Sequence, residues 1–117
     1  MTSKLIYKIA TREQWAVAEK TGKFMGAPID LADGYIHFST AETARETAAK
    51  HFAGQRDLLL IAVDETHLGD ALIYEVSRGG ALFPHLYAAL DLAHVEWVRE
   101  LPLSETQMHI FPADFDV

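Results

Sequence analysis

Asp33-Gly34-Tyr35-Ile36-His37-Phe38-Ser39-Thr40 decides the reading of this chain. Asp33-Gly34 is a strong turn signal, and the residues after it alternate in character. Ile36 and Phe38 fall on one side of a short strand, and Tyr35, His37 and Ser39 on the other. Ser39-Thr40-Ala41-Glu42 then has the form of a capping box. It predicts an alanine-rich helix from there through Phe52, closed by Gly54 in a left-handed conformation. A polar-faced strand running into a capped helix is the best-defined local structure in the sequence.

Upstream, Leu5–Ala10 reads as a strand. Thr11-Arg12-Glu13-Gln14 is a second capping box, opening a helix that Gly22 ends. Trp15 and Ala18 share one face of that helix, so Trp15 is expected to anchor it to the core. Between Lys23 and Gly34 the pattern breaks down, and Gly26, Pro28, Asp30, Asp33 and Gly34 read as loop. A loop of that length in so small a chain points to function.

Downstream, Leu58–Val63 is a continuous apolar run, the mark of a central strand buried on both faces. Ala71–Ser77 reads as its neighbour, Leu72, Tyr74 and Val76 alternating with Ile73, Glu75 and Ser77. After the Arg78-Gly79-Gly80 turn comes Ala81-Leu82-Phe83-Pro84-His85-Leu86-Tyr87, where Pro84 argues against a central strand and for a loop. Val95–Glu100 is a last strand. Phe111, Pro112 and Phe115 are expected to pack over a sheet edge. Strands outnumber helices and both clear helices lie in the first half, which predicts an α+β fold with a small, split, mainly antiparallel sheet.

The 117 residues fit one domain, residues 1–117, of ordinary globular composition. A formal net charge of -7 makes nucleic acid an unlikely partner, because such binding needs a basic stripe. With no cysteine, disulfides, thiolate nucleophiles and Cys-based zinc sites are excluded. The opening Met-Thr-Ser-Lys lacks a signal-peptide core and no apolar run suits a membrane span, so a cytoplasmic location without membrane association is expected. Neither Gly-x-Gly-x-x-Gly, a Walker loop, His-Glu-x-x-His nor Gly-x-Ser-x-Gly occurs, and no metal site is assigned.

Three side chains are candidates for chemistry. His37 suits acid–base work or a ligand hydrogen bond, with Asp33, Tyr35 and Ser39 gathered around it, or else it is a core histidine satisfied by a carbonyl. Glu75 interrupts a sheet-like segment; it sits in solvent on an edge strand, or in a cleft facing a histidine. His85 lies in an aromatic-flanked loop, a common place for binding residues. Arg56, just past Gly54, either clamps a phosphate or caps the preceding helix.

Ile6-Tyr7-Lys8-Ile9, Trp15, the Asp33–Thr40 stretch, His51-Phe52-Ala53-Gly54-Gln55, Asp57-Leu58, Tyr74-Glu75-Val76 and Phe83-Pro84-His85-Leu86-Tyr87 together resemble the bacterial family called domain of unknown function 952. That family is grouped with the ADP-ribosyltransferase-like fold, a split sheet around an NAD-binding cleft. The stretch from Ile36-His37-Phe38 through Gly54-Gln55-Arg56 to Val63-Asp64 is also similar to part of the tRNA 2′-phosphotransferases. The resemblance implies a cleft for NAD, as a substrate, or another phosphorylated nucleotide, with no certain cofactor. His37, Glu75 and His85 would be catalytic. Tyr35, Ser39, Arg56 and Tyr87 would bind the ligand, Arg56 at phosphate and a tyrosine stacked on a ring. An Arg-His pair that the phosphotransferases carry near their start has no counterpart around Tyr7-Lys8, and tRNA is not the expected substrate. Two other readings stand beside this transferase: a binding module without turnover, and a structural or interaction protein without a ligand.

Overall fold

In the computed structural model, which describes residues 4–113 and 115, the apolar run becomes strand β4, Leu58–Asp64, with every residue buried. It lies between β1, Leu5–Thr11, and β8, Val95–Glu100, both antiparallel to it. Because side chains alternate along a strand, β1 and β4 feed two cores. Ile6, Ala10, Leu59, Ile61 and Val63 pack on one face, under Trp15 and Ala18 of helix α1, Arg12–Thr21. Tyr7, Ile9, Leu58, Leu60 and Ala62 pack on the other, under Ala44 and Ala48 of helix α3. Burial on both faces is why this strand carries no polar side chain before Asp64.

Helix α1 forms as its sequence requires. Thr11 Oγ1 accepts a hydrogen bond from the Gln14 amide at 3.0 Å, and the Thr11 amide donates to Gln14 Oε1 at 3.0 Å. Gly22 closes the helix at φ 84°. Trp15 is buried against Phe24, an anchor as expected. Thr11→Ala, which leaves the Gln14 amide without its acceptor, is expected to cost about 1 kcal/mol in urea unfolding.

The segment expected to be a loop is ordered instead. Lys23–Phe24 is strand β2, paired with β7, Leu90–Asp91, and Pro28–Asp33 is helix α2. Pro28 starts that helix, the Asp30 carboxylate accepts the Ala27 amide at 2.7 Å, and Gly34 ends it at φ 88°. The proline, aspartates and glycine that read as loop residues are the punctuation of a short helix. Among the described residues there are thus three α-helices, not two.

The other revisions follow from backbone hydrogen bonds made far along the chain. Helix α3 is Ala44–His51 and begins later than the Ser39 capping box predicts. The amide and carbonyl of Ser39 are both taken by Tyr7, at 2.8 Å each, so Ser39 stays extended, and Thr43 stands at the cap. Strand β5, Leu72–Val76, is not a neighbour of β4; it pairs with β6, Leu82–Leu86. Strand β6 is central in its own sheet, flanked by β5 and by β3, Ile36–His37, so His85 is a strand residue and not a loop residue. Pro84 is tolerated there because β3 ends beside it: the Pro84 carbonyl accepts the Phe38 amide, and the chain then leaves to bridge Tyr7. The tail covers a face rather than an edge. Phe115 is buried in the α3-side core, 5.0 Å from the Tyr7 ring.

Every strand pairing is antiparallel, and the architecture is α+β. No helix among the described residues is long and apolar enough to cross a membrane. In the β3-β6-β5 sheet, Ile36, Phe38, Leu72 and Leu86 turn into the core. The alternate positions, Tyr35, His37, Glu75, His85 and Tyr87, share the opposite face.

Candidate functional site

The register of β3 on β6 sets His37 directly opposite His85, with ring centroids 5.5 Å apart. Each imidazole has a carboxylate at its Nδ1, supplied by a different element.

For His85 the partner is Glu75, one step along the same face of β5. Glu75 Oε1 lies 2.7 Å from His85 Nδ1 and also accepts the Tyr87 hydroxyl at 2.6 Å. Tyr35 stacks on the His85 ring at 4.1 Å and an interplanar angle of 25°. A carboxylate only accepts, so Nδ1 carries the proton, and in the neutral ring Nε2 is the basic nitrogen. Nε2 has no hydrogen-bond partner among the described residues. The Tyr87 hydroxyl, and after it His85, hold the Glu75 carboxyl below the usual range. The same bond to Glu75 is the main reason the Tyr87 hydroxyl is pushed up to about 12. Tyr35 is raised by burial first, then by the charges of Asp33 and Glu75.

His37 is held differently. Its Nδ1 is 2.6 Å from Asp30 Oδ1 and its Nε2 is 2.9 Å from Asp33 Oδ2. Both contacts are hydrogen bonds only when the ring carries two N–H groups. Asp30, with 1% of its side chain exposed, also accepts the amides of Ala27 and His37 and faces Lys8 Nζ at 2.9 Å. Burial pushes its carboxyl up. The His37 hydrogen bond and the Lys8 charge outweigh that and bring it to about 2. Burial lowers Lys8, and Asp30 offsets part of the effect. Packing at this point is close. A Cβ on Gly26, at φ 120°, would stand 2.9 Å from Asp30 Cβ. Gly26→Ala is therefore expected to cost about 2 kcal/mol and to shift the His37 ring resonances in NMR spectra.

Lys8, Asp33, His37, Ser39 and His85 face a cleft of about 550 Å³. The volume is in the range of small-molecule sites. Tyr35, Glu75 and Tyr87 stand around His85 without lining the cleft, so Glu75 reaches it through the imidazole. Ser39 Oγ is 2.8 Å from Thr47 Oγ1. Arg56 is not brought here; it lies at a separate depression of about 230 Å³ with Arg12, Asp57 and Glu100. The sequence reading passed over Lys8 and took Asp30 for a loop residue. One signal was present in Lys8, a charge between Ile6 and Ala10 on the core face of an apolar strand. Among the described residues no group of three or more His, Asp or Glu side chains is arranged to hold a metal ion.

An antiparallel α+β protein with two carboxylate-held histidines at one cleft is what fold and site define. The chain belongs to the family described as protein of unknown function (DUF952), whose profile matches residues 9–98. It is similar to protein CC0527 from Caulobacter crescentus. The X-ray crystal structure of that protein is 48% identical, with a TM-score of 0.88 over 91% of this chain and 93% of that one. Its solution NMR structure gives 49% identity and a TM-score of 0.81 over 89% and 90%. No curated protein matches the chain.

Proposed function

We propose that the cleft binds a small ligand and that His85 acts on it as an acid–base group. The observation that carries this reading is the Glu75–His85 pair: Nδ1 is fixed by a carboxylate, and Nε2 is unpartnered on a residue lining the cleft. A carboxylate at Nδ1 selects the tautomer with a basic Nε2 and stabilises the imidazolium formed when Nε2 takes a proton. His85 is then the catalytic residue, Glu75 a positioning residue, and His37 a donor at the cleft wall. The resemblance to the ADP-ribosyltransferase-like fold supplies the ligand class, NAD or another phosphorylated nucleotide, and the reaction type, transfer of ADP-ribose or of a 2′-phosphate. Such a role suits a protein of the cytoplasm.

The double engagement of His37 favours a second reading, a binding module without turnover. Both of its ring nitrogens already face carboxylates, so of the facing His37–His85 pair only His85 Nε2 has no partner among the described residues. Incubation with NAD separates the two. Release of nicotinamide that His85→Ala abolishes supports the enzyme, and binding without release supports the module. No thermal shift with NAD, ADP-ribose or 2′-phosphorylated nucleotides overturns the ligand assignment.

A further inference from the structure

Resting on the reading of this cleft as a ligand site, we infer that it engages its ligand through an uncharged, hydroxyl-bearing ring. That is the nucleoside part of a nucleotide, with phosphate contributing nothing to affinity. The charges that face the cleft are already paired. Lys8 Nζ, on a side chain with 5% exposure, lies 2.9 Å from Asp30, and the His37 ring spans Asp30 and Asp33. A phosphate drawing Lys8 or His37 to itself would leave a carboxylate short of its partner, at Asp30 a fully buried one. Stripping a partner from a buried charge costs more than an exposed ion pair returns.

No arginine is among the described residues lining the cleft. Arg56, the residue expected at phosphate, sits in the other depression beside the carboxylates of Asp57 and Glu100, and Arg12 there is already bound to Glu100 at 2.7 Å. The formal net charge of -7 adds no long-range attraction for a polyanion. What faces a ligand includes His85 Nε2 and the Gln55 amide, with the His51 ring and the apolar walls of Ile9, Phe52 and Phe83 around them. Apolar walls with a few neutral hydrogen-bonding groups suit a ring that carries hydroxyls.

Isothermal titration of the full chain with adenosine, AMP and ADP-ribose, at low and at physiological salt, tests this. Adenosine is expected to bind within about threefold of both phosphorylated compounds, with little change on adding salt. AMP or ADP-ribose binding more than about tenfold tighter than adenosine, with the gain eroded by salt, overturns the inference and leaves the ligand cleft standing. Ser77→Trp, which fills the cleft from its rim, is expected to abolish binding of all three. Binding unchanged by Ser77→Trp, or no binding of any of the three, overturns the cleft reading itself.

Discussion

Asp30→Ala is expected to lower the stability of the fold by about 3–5 kcal/mol, read as a fall in the urea midpoint at unchanged slope. Asp30 is the one acceptor shared by Lys8 from β1, the His37 ring and amide from β3, and the Ala27 amide at the start of α2. Its removal strands the ammonium of Lys8, with 5% exposure, without its carboxylate. Domains of this kind are stable by about 5–15 kcal/mol, so the variant is expected to be near its unfolding threshold. Lys8→Met is expected to cost less, because Asp30 keeps His37 and two amides. The double variant Lys8→Met with Asp30→Leu is expected to recover part of the loss, since an apolar pair leaves no charge unpaired.

The same residue sets a dependence on acid. Its carboxyl lies near 2 in the folded protein, below the ordinary aspartate value of 3.8, held there by His37 and Lys8. The unfolded chain therefore takes up the proton first as pH falls. The contribution of Asp30, about 2 kcal/mol, is complete above pH 4 or so and fades as pH falls toward about 2. Urea midpoints across that interval are expected to lose this slope in Asp30→Asn.

His85→Ala is expected to have the largest effect on turnover, a loss of about 10²–10⁴-fold in kcat on any substrate the cleft converts, with the fold intact by NMR. The Glu75 variants divide the role of the carboxylate. Glu75→Gln keeps an oxygen that the Tyr87 hydroxyl and His85 Nδ1–H can both share, so the tautomer survives and only the charge is lost. Glu75→Ala loses orientation as well, and is expected to depress kcat by about tenfold more than Glu75→Gln, with KM little changed. Equal losses in both variants, or a loss confined to KM, count against a positioning role.

The helix α1 and the strand β4 were legible in the sequence because their signals are local: a reciprocal cap at Thr11 and Gln14, and an unbroken apolar run, Leu58–Val63, before Asp64. The alternation of β3 and β5 was legible for the same reason, and it placed His37 and Glu75 on the correct faces. What stayed hidden depended on partners remote in sequence. Ser39 has the chemistry of a helix cap, and only the backbone of Tyr7 decides that it is a strand residue. Pro84 is poor in a central strand unless its neighbour ends beside it, which nothing in Phe83-Pro84-His85 can announce. The partner of Lys8 is equally remote, since only the packing of α2 brings Asp30 to it. A cleft with both histidines is what the family resemblance implies, whereas their facing arrangement follows from the pairing of β3 with β6.

The seam between the two larger sheets has a consequence of its own. There the backbone pair of Tyr7 with Ser39 runs beside the Lys8–Asp30–His37 chain. Prising the sheets apart would separate buried opposite charges along with two backbone hydrogen bonds, so this wall of the cleft is stiff. A ligand arriving there meets walls whose spacing is already fixed, and little of its binding energy is consumed in ordering the protein around it.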